Sequence, residues 1–390
     1  MLPLRYSVRS FWQRRVRNAL TIAVIALVVL ALGLLSGLVT SLKASTRAAG
    51  SPHNLIVLRK GATSDGASSL PLQAYQTLRF FDGIAKGADG EPLVSPEFLV
   101  QPQGTTRAGI RETVSVRGVE SAAFAVRDDV RIVTGRTLQP ASGEAIAGRA
   151  AASRYRGAEP GGRMALGNAS YVVVGIFEAG GSALESEVWV DARELANDVK
   201  RTSPYSSLRI RLAEGADADA LAQRIESDTR FTLQASRESV YYEKQAASAD
   251  ALYVVVGGLA LLAGIGAAFG ATNTLYATVQ ARTREIGTLR ALGFSRAAIA
   301  GSFVLESILI AAAGFASGAA LAWLAAGAVS ALVGDVPMLG AASNSLVSLR
   351  ISAVDLLFAL ALALAIGVGG SLLPALRAAR LRPVDALRKG

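Results

Sequence analysis

Arg282, Arg284, Glu285, Ile286, Leu289, Arg290 and Gly293 crowd into one short run, RTREIGTLRALG at 282–293. Ile286, Leu289 and Gly293 recur at i, i+3 and i+7, which places them on one side of a helix. Arg282 continues that side, while Arg284 and Thr288 fall on another. Gly293 suits the position just past a helix end, where a positive φ is needed, and Ser295 is placed to cap the helix that follows. Guanidinium, carboxylate and branched aliphatic groups in this pattern perform recognition, not bond-making. An inert helix lying along a membrane surface has the same spacing, so the pattern alone leaves both readings open.

Other reactive chemistry is scarce. The chain has no Cys and a single His, His53, in a polar stretch, which removes disulfides, thiolate metal sites and cysteine nucleophiles. There is no HExxH and no GxSxG, and an enzymatic reading fails. Two polar groups stand inside otherwise apolar runs. Glu306 is expected to pair structurally with a neighbouring helix or with the Arg-rich loop, and Asn273 to hydrogen-bond between helices. Gly266/Gly270 and Gly314/Gly318 repeat at four-residue spacing, which permits close helix crossings.

The elements that carry these residues follow from hydropathy. Of the 390 residues 51% are apolar, and the mean hydropathy is +0.38. Stretches 19–39, 251–275, 307–333 and 356–376 hold no charge, and each is long enough for a helix to cross the roughly 30 Å hydrocarbon layer. Transmembrane helices are therefore expected over 19–42, 251–275, 298–333 and 354–376. The first is read as an uncleaved anchor, because its apolar run exceeds a signal-peptide core and no A-x-A site follows.

The net charge of +10 is a topology signal. Arg5, Arg9, Arg14, Arg15 and Arg17 precede the first span; Arg282, Arg284, Arg290 and Arg296 lie in the 276–297 loop; Arg377, Arg380, Arg382, Arg388 and Lys389 end the chain. These segments hold 14 of the 40 basic residues, with only Glu285 and Asp385 among the acids. Four spans put all three on one face, and the positive-inside rule makes that face cytoplasmic. Nucleic-acid binding is not needed to explain the charge. Residues 1–18 are expected to form an interfacial helix, with Trp12 at headgroup depth and its arginines toward anionic membrane lipids.

Residues 43–250 are too long for a connecting loop and form an extracytoplasmic domain. Strands are expected at 54–58, 97–101, 114–119, 130–133 and 187–191, with a hairpin over 163–179 turning at Gly167 and Asn168. Two β-α-β patterns, one through a helix over 70–81 and one across 207–234, describe a porter-like layer with a β-rich insertion above it. Residues 236–250 are expected to run as one continuous helical stalk into the second span. A turn-rich external loop at 334–353 and a cytoplasmic tail at 377–390 complete the reading. The fold class is thus a membrane protein with an α-helical four-span transmembrane domain and an α+β extracytoplasmic domain.

The run R-T-R-E-I-G-x-L-R-A-L-G, followed by F-x-x-E-S and G-x-x-x-G in the next span, closely resembles the permease subunits of MacB/FtsX-type (type VII, mechanotransmission) ABC transporters. The ending PALRAARLRPVDALR at 374–388 resembles that family's P-A-x-x-A-A-x-L-x-P-x-E-A-L-R. Gly135-Arg136, Gly148, the Gly161-Gly162 turn and 172–177 are similar, more loosely, to its periplasmic core domain. Phe294 and Asp385 depart from the family's more usual Ala and Glu.

The resemblance implies a coupling helix at 282–292 seated on an ATP-binding subunit, with Arg284, Glu285 and Arg290 in polar contacts and Ile286 and Leu289 in apolar ones. It implies no cofactor in this chain, with ATP and Mg bound by the partner ATPase; consistently, the sequence contains no Gly-Lys dipeptide and so no P-loop. Further implied partners are a second permease copy or paralogue, meeting one of the glycine faces, and a periplasmic adaptor with an outer-membrane channel. The location implied is the bacterial inner membrane, with both termini cytoplasmic. Export or extraction of a substrate across the envelope is the leading function; the alternative is an FtsX-like regulator that activates an extracytoplasmic partner such as a cell-wall hydrolase.

Overall fold

The computed structural model describes residues 15–201, 203, 205–332, 336–339, 344–347 and 349–381. The expected interfacial helix over 1–18 falls mostly outside the described residues, as does the tail from 382 onward. The chain divides into two units, one comprising 1–40, 251–329 and 349–390, the other 41–250 and 330–348.

The second unit is built on a sheet. Its strands are β1 (Asn54–Arg59), β2 (Val94–Val100), β3 (Gln103–Thr105), β4 (Arg111–Thr113), β5 (Ser115–Val119), β6 (Arg131–Gly135), β7 (Glu144–Gly148), β8 (Arg163–Leu166), β9 (Ala169–Glu178), β10 (Glu187–Asp191), β11 (Ser207–Arg211) and β12 (Leu233–Arg237). Ten of them form one sheet in the order β12-β1-β11-β2-β5-β10-β7-β9-β6, with β8 paired to β9. The first four positions are two interleaved β-α-β units, because β11 lies between β1 and β2 while β1 lies between β12 and β11.

The insertion is not a separate layer above this porter-like part. β2 pairs with β11 through Val94–Glu97 and with β5 through Phe98–Val100, so one strand carries the sheet from the first part into the second. β7 was invisible to pattern reading because EAIAG has little β propensity; it is a buried central strand between β10 and β9. The last strand of the β-α-β pattern expected across 207–234 lies at Leu233–Arg237, running past the expected end.

Helices of this unit follow from short apolar faces. Numbered along the chain after the long first helix α1 (Arg15–Ala48), they are α2 (Leu72–Leu78), α3 (Ala122–Val126), α4 (Arg149–Arg154), α5 (Ala192–Asp198), α6 (Ala218–Ser227) and α7 (Glu238–Ala247). Asp191 and Asp217 cap α5 and α6, each accepting from two backbone N–H groups. The expected continuous stalk is interrupted: a turn at Ser248 and Ala249 separates α7 from the helix that begins at Asp250. The turn-rich 334–353 stretch contains a hairpin, β13 (Val336–Leu339) with β14 (Asn344–Val347).

An ionic network fills the middle of the sheet unit. Arg117 holds Glu187 through two bonds, Nε to Oε2 at 2.6 Å and Nη2 to Oε1 at 2.5 Å, and reaches Asp65 at 3.0 Å and Glu97 at 2.9 Å. Arg209 contacts Asp65 at 3.1 Å, Glu97 at 2.7 Å and Glu238 at 3.1 Å. Arg127 also pairs with Glu97. All of these side chains are buried. Burial pushes the Glu97 carboxyl up, but Arg127, Arg209 and Arg117 more than offset it and hold the group well below the usual range. Asp65 is lowered in the same way, with Arg117 and Arg209 outweighing burial.

The network fastens α7 to the sheet. Glu238 accepts from Arg209 and from Asn54 Nδ2 at 3.0 Å, and the Tyr241 hydroxyl accepts from the Asp65 backbone N–H at 3.0 Å. Arg47, near the end of α1, forks onto Glu243 of α7 at 2.5 and 2.6 Å. A Cβ on Gly50 would stand 3.0 Å from the Glu238 carbonyl, a tight contact that glycine avoids.

The first unit holds the remaining helices: α8 (Asp250–Ala281), α9 (Thr283–Ala291), α10 (Arg296–Leu332) and α11 (Ala353–Ala379). Among the described residues four helices are long and apolar enough to cross a membrane: Asn18–Ala48, Glu238–Ala281 with its intervening turn, Arg296–Val329 and Ala353–Ala379. α1 and α10 meet through glycine. A Cβ on Gly314 would lie 2.8 Å from Ile25, and one on Gly318 2.6 Å from the Ala26 carbonyl. Ser352 and Asp355 form a capping box at the start of α11.

Candidate functional site, the α9 connection

α9 occupies the connection between α8 and α10, shorter than the three to four turns that the pattern predicts. It ends as expected, with Gly293 at φ +90°, and Ser295 Oγ accepts from the Ala298 backbone N–H at 3.1 Å at the start of α10. The reason for a helix here is the inward stripe. Ile286 is buried in a cluster with Leu275 and Val279 of α8, Ile299 and Phe303 of α10, and Ala375 and Ala378 of α11.

Arg282 fixes the first turn. Its guanidinium contacts Glu285 at 2.8 Å and Glu306 at 3.4 Å, and its charge lies over the Phe303 ring, 5.4 Å from the centroid. Both Arg282 and Glu306 are buried. A carboxylate inside an apolar span costs a few kcal/mol unless it is paired, and the arginine supplies the pairing. Beside Glu306 a cavity of ≈ 20 Å³, lined in part by Asn18, Thr21, Thr278 and Ser307, has room for about one water.

The outward face differs from the one read in the sequence. Ile286 has no surface to offer a partner, since the chain itself covers it, and Leu289 and Arg290 are half-buried, with Arg290 donating to the Phe294 carbonyl at 3.0 Å. Exposed instead are Arg284, Glu285, Thr288, Ala291 and Leu292, the last 72% exposed. Among the described residues the Arg284 side chain makes no hydrogen bond or ion pair. Leu292 is the apolar residue that pattern reading passed over. It lies off the i, i+3, i+7 stripe, and only the packing of that stripe inward shows which residues remain outside.

The other candidates separate. Glu306 joins Arg282, whereas Asn273 is exposed and hydrogen-bonds to no side chain or backbone among the described residues. Gly314 and Gly318 are used within the chain; a Cβ on Gly266 or Gly270 would meet no atom within 4 Å. The described residues contain no group of His, Cys, Asp and Glu arranged to hold a metal.

Two family models match the chain. Residues 18–228, more than half of the chain, match the MacB-like periplasmic core domain, and residues 257–383 match the FtsX-like permease C-terminal domain. The macrolide export ATP-binding/permease protein MacB of Shewanella sp. (strain W3-18-1) is 28% identical over 57% of this chain and 34% of its own length. The uncharacterized ABC transporter permease YknZ of Bacillus subtilis is 34% identical over 34% of this chain and 30% of its own. Among solved structures, the periplasmic region of MacB from Actinobacillus actinomycetemcomitans is 11% identical, with a TM-score of 0.38 over 49% of this chain and 91% of that one. The chain spans about a third of the length of these two curated relatives.

Proposed function

The chain belongs to the MacB-like periplasmic core family and is an ABC transporter permease of the MacB/FtsX type, and from that premise we propose that it couples ATP hydrolysis by a partner to movement of its extracytoplasmic domain. It is a membrane protein with an extracytoplasmic domain. In this reading the membrane is the inner membrane, the α9 connection and both termini are cytoplasmic, and the arginine excess sets that orientation. In this reading ATP and Mg are bound by an ATP-binding partner, and the sequence given has no P-loop motif of its own. The work done is export or extraction of a substrate across the cell envelope, with a periplasmic adaptor and outer-membrane channel as further partners.

The observation that carries the proposal is the two-sidedness of α9. Its inner side is locked by Ile286 and by the Arg282–Glu306 pair, so force on the helix passes to α8, α10 and α11 instead of being lost in loop motion. Its outer side presents Arg284, Glu285 and Leu292, a polar pair beside an apolar residue, the composition of a small docking knob.

The test is affinity capture of the tagged chain from native membranes in mild detergent, with mass spectrometry of what accompanies it. An ATP-binding subunit is expected with the unaltered chain and lost from an Arg284→Glu, Leu292→Asp variant that remains folded and inserted. An adaptor alongside it supports export, and a cell-wall hydrolase in its place would move the reading to a regulator. Equal capture of the ATPase by both chains would refute the assignment of α9.

A further inference from the structure

We propose that the ribbon formed by β3, β4 and residues 154–156 binds an anionic polymer, a flexible chain bearing phosphate or carboxylate groups, through Arg111, Arg156 and Arg163. The inference rests on the placement of the sheet unit outside the membrane and is independent of the α9 reading.

Backbone register sets the arginines side by side. β3 pairs antiparallel with β4, with Thr105 opposite Arg111. On its other edge β3 meets the end of α4 through a bridge between Thr106 and Tyr155. The Arg107 N–H donates to the Arg154 carbonyl and the Arg156 N–H to the Thr105 carbonyl, both at 2.9 Å. One residue out from that bridge, Arg156 stands opposite Thr105. Arg111, Thr105 and Arg156 thus form a row across three strands, and directly opposite residues share a face. Burial agrees: Gly104, Thr106 and Tyr155 are buried on the other face, whereas Arg111 and Arg156 are exposed. Two strand spacings put these arginines about 10 Å apart. Arg163, exposed at the start of β8, adjoins the row, since its carbonyl would lie 2.2 Å from a Cβ on Gly157.

The charge of this row is not met within the chain. Elsewhere in the unit Arg79, Arg136, Arg149, Arg211, Arg224 and Arg230 each contact a carboxylate. At the ribbon the neighbouring acids are engaged, Glu112 by Arg154 through two bonds and Glu159 by Arg107 at 3.4 Å. Among the described residues the side chains of Arg111, Arg156 and Arg163 make no hydrogen bond or ion pair. Like charges on one face repel, and a bound anion removes that repulsion. The positive-inside rule does not account for them, because it asks for cations on the cytoplasmic side.

The chemistry of the row selects its occupant. A guanidinium is a planar fork that fits the paired oxygens of phosphate or carboxylate, and several forks along a row suit a chain of repeated charges. Ile110, at the turn between β3 and β4, is the exposed apolar side chain beside the row. A single one does not make the apolar centre on which protein interfaces depend.

The full-length chain in right-side-out membrane vesicles presents only its extracytoplasmic face to an added probe. Labelled polyphosphate serves as the phosphate probe and labelled polygalacturonate as the carboxylate probe. Chain-dependent binding of at least one is expected, and the tighter of the two identifies the group that the ribbon takes. Arg111→Gln with Arg156→Gln should weaken it about tenfold. Arg59→Gln with Arg131→Gln removes two exposed arginines elsewhere in the same unit and should change it less than about twofold. Unfolding temperatures of the solubilised variants check that both remain folded. Binding of neither polymer, or equal weakening by the two pairs of substitutions, would overturn the site. A protein co-captured with the unaltered chain and lost from Arg111→Gln, Arg156→Gln, with polymer binding unchanged, would make the ribbon a protein-docking face and overturn the polymer assignment.

Discussion

Arg282 and Glu306, 24 residues apart in sequence, meet at 3.4 Å, both buried, and they tie the start of α9 to the body of α10. Glu285 and the Phe303 ring also contact the guanidinium. The contact turns a short surface helix into part of the helical bundle. Removing either partner takes one charge out of a buried pair, which costs up to about 3–5 kcal/mol. We expect Arg282→Ala and Glu306→Ala each to lower the unfolding temperature of the detergent-solubilised chain by several degrees. The double variant should be less damaging than the sum of the two. Additive losses in that cycle would show that the pair is not coupled.

The two faces of α9 predict opposite phenotypes for similar substitutions. Ile286→Ala opens a void among Leu275, Phe303 and Ala375 and should cost about 2–5 kcal/mol of stability. Leu292→Ala removes an exposed side chain and should leave stability within about 0.5 kcal/mol while weakening capture of the ATP-binding partner. Thermal unfolding and co-purification measured on the same two preparations separate the effects. A stable Ile286→Ala would contradict the packing described for α9.

These contrasts mark how far the sequence reaches. The four spans, the strand–helix–strand pairs and the position of α9 follow from hydropathy and periodicity, because each depends on the residues of one segment. The sheet's continuity through β2 is a different kind of fact. It depends on Val94–Glu97 and Phe98–Val100 meeting two strands that lie far apart along the chain, β11 (Ser207–Arg211) and β5 (Ser115–Val119), and nothing local in VSPEFLV encodes that. The buried network was hidden for the same reason. Arg117 and Arg209 sit in strands as apparently solvent-facing arginines, and only the gathering of Asp65, Glu97, Glu187 and Glu238 around them makes burial tolerable. For α9 the amphipathic stripe was legible, but its direction was not. A stripe that packs inward and one that meets a partner have the same spacing.

The network predicts an acid-sensitive domain. The carboxyls of Asp65 and Glu97 titrate below their ordinary values of 3.8 and 4.5 when folded. Their contribution to stability is therefore complete above those values and declines as pH falls through them toward the lowered folded values. With Trp12 and Trp323 replaced by Phe, the fluorescence of Trp189, whose indole donates to Glu187 at 2.9 Å, reports this unit. Its denaturant midpoint should be flat from pH 7 to about 5 and fall below that. Arg209→Met, which leaves Glu238 and Glu97 short of a partner, should lower stability by about 3–5 kcal/mol at neutral pH. A midpoint that rises on acidification would mean that these acids are not held by their arginines.

Glycine substitutions separate internal packing from open surface within the first unit. A methyl at Gly318 would press to 2.6 Å from the Ala26 carbonyl and 2.7 Å from Val29, both on α1, and neither backbone can withdraw without moving a span. Gly318→Ala should therefore destabilise the chain by about 1–3 kcal/mol. Gly257, in α8, meets nothing within 4 Å, so Gly257→Ala adds a methyl to open surroundings and removes the entropy cost of glycine in a helix. It should be neutral or stabilising by up to about 1 kcal/mol. The measurement is the unfolding temperature of each variant in the same detergent. Equal destabilisation by both would mean that α8 is covered at Gly257 even in the single chain, and would remove the distinction between the packed and the open glycine faces.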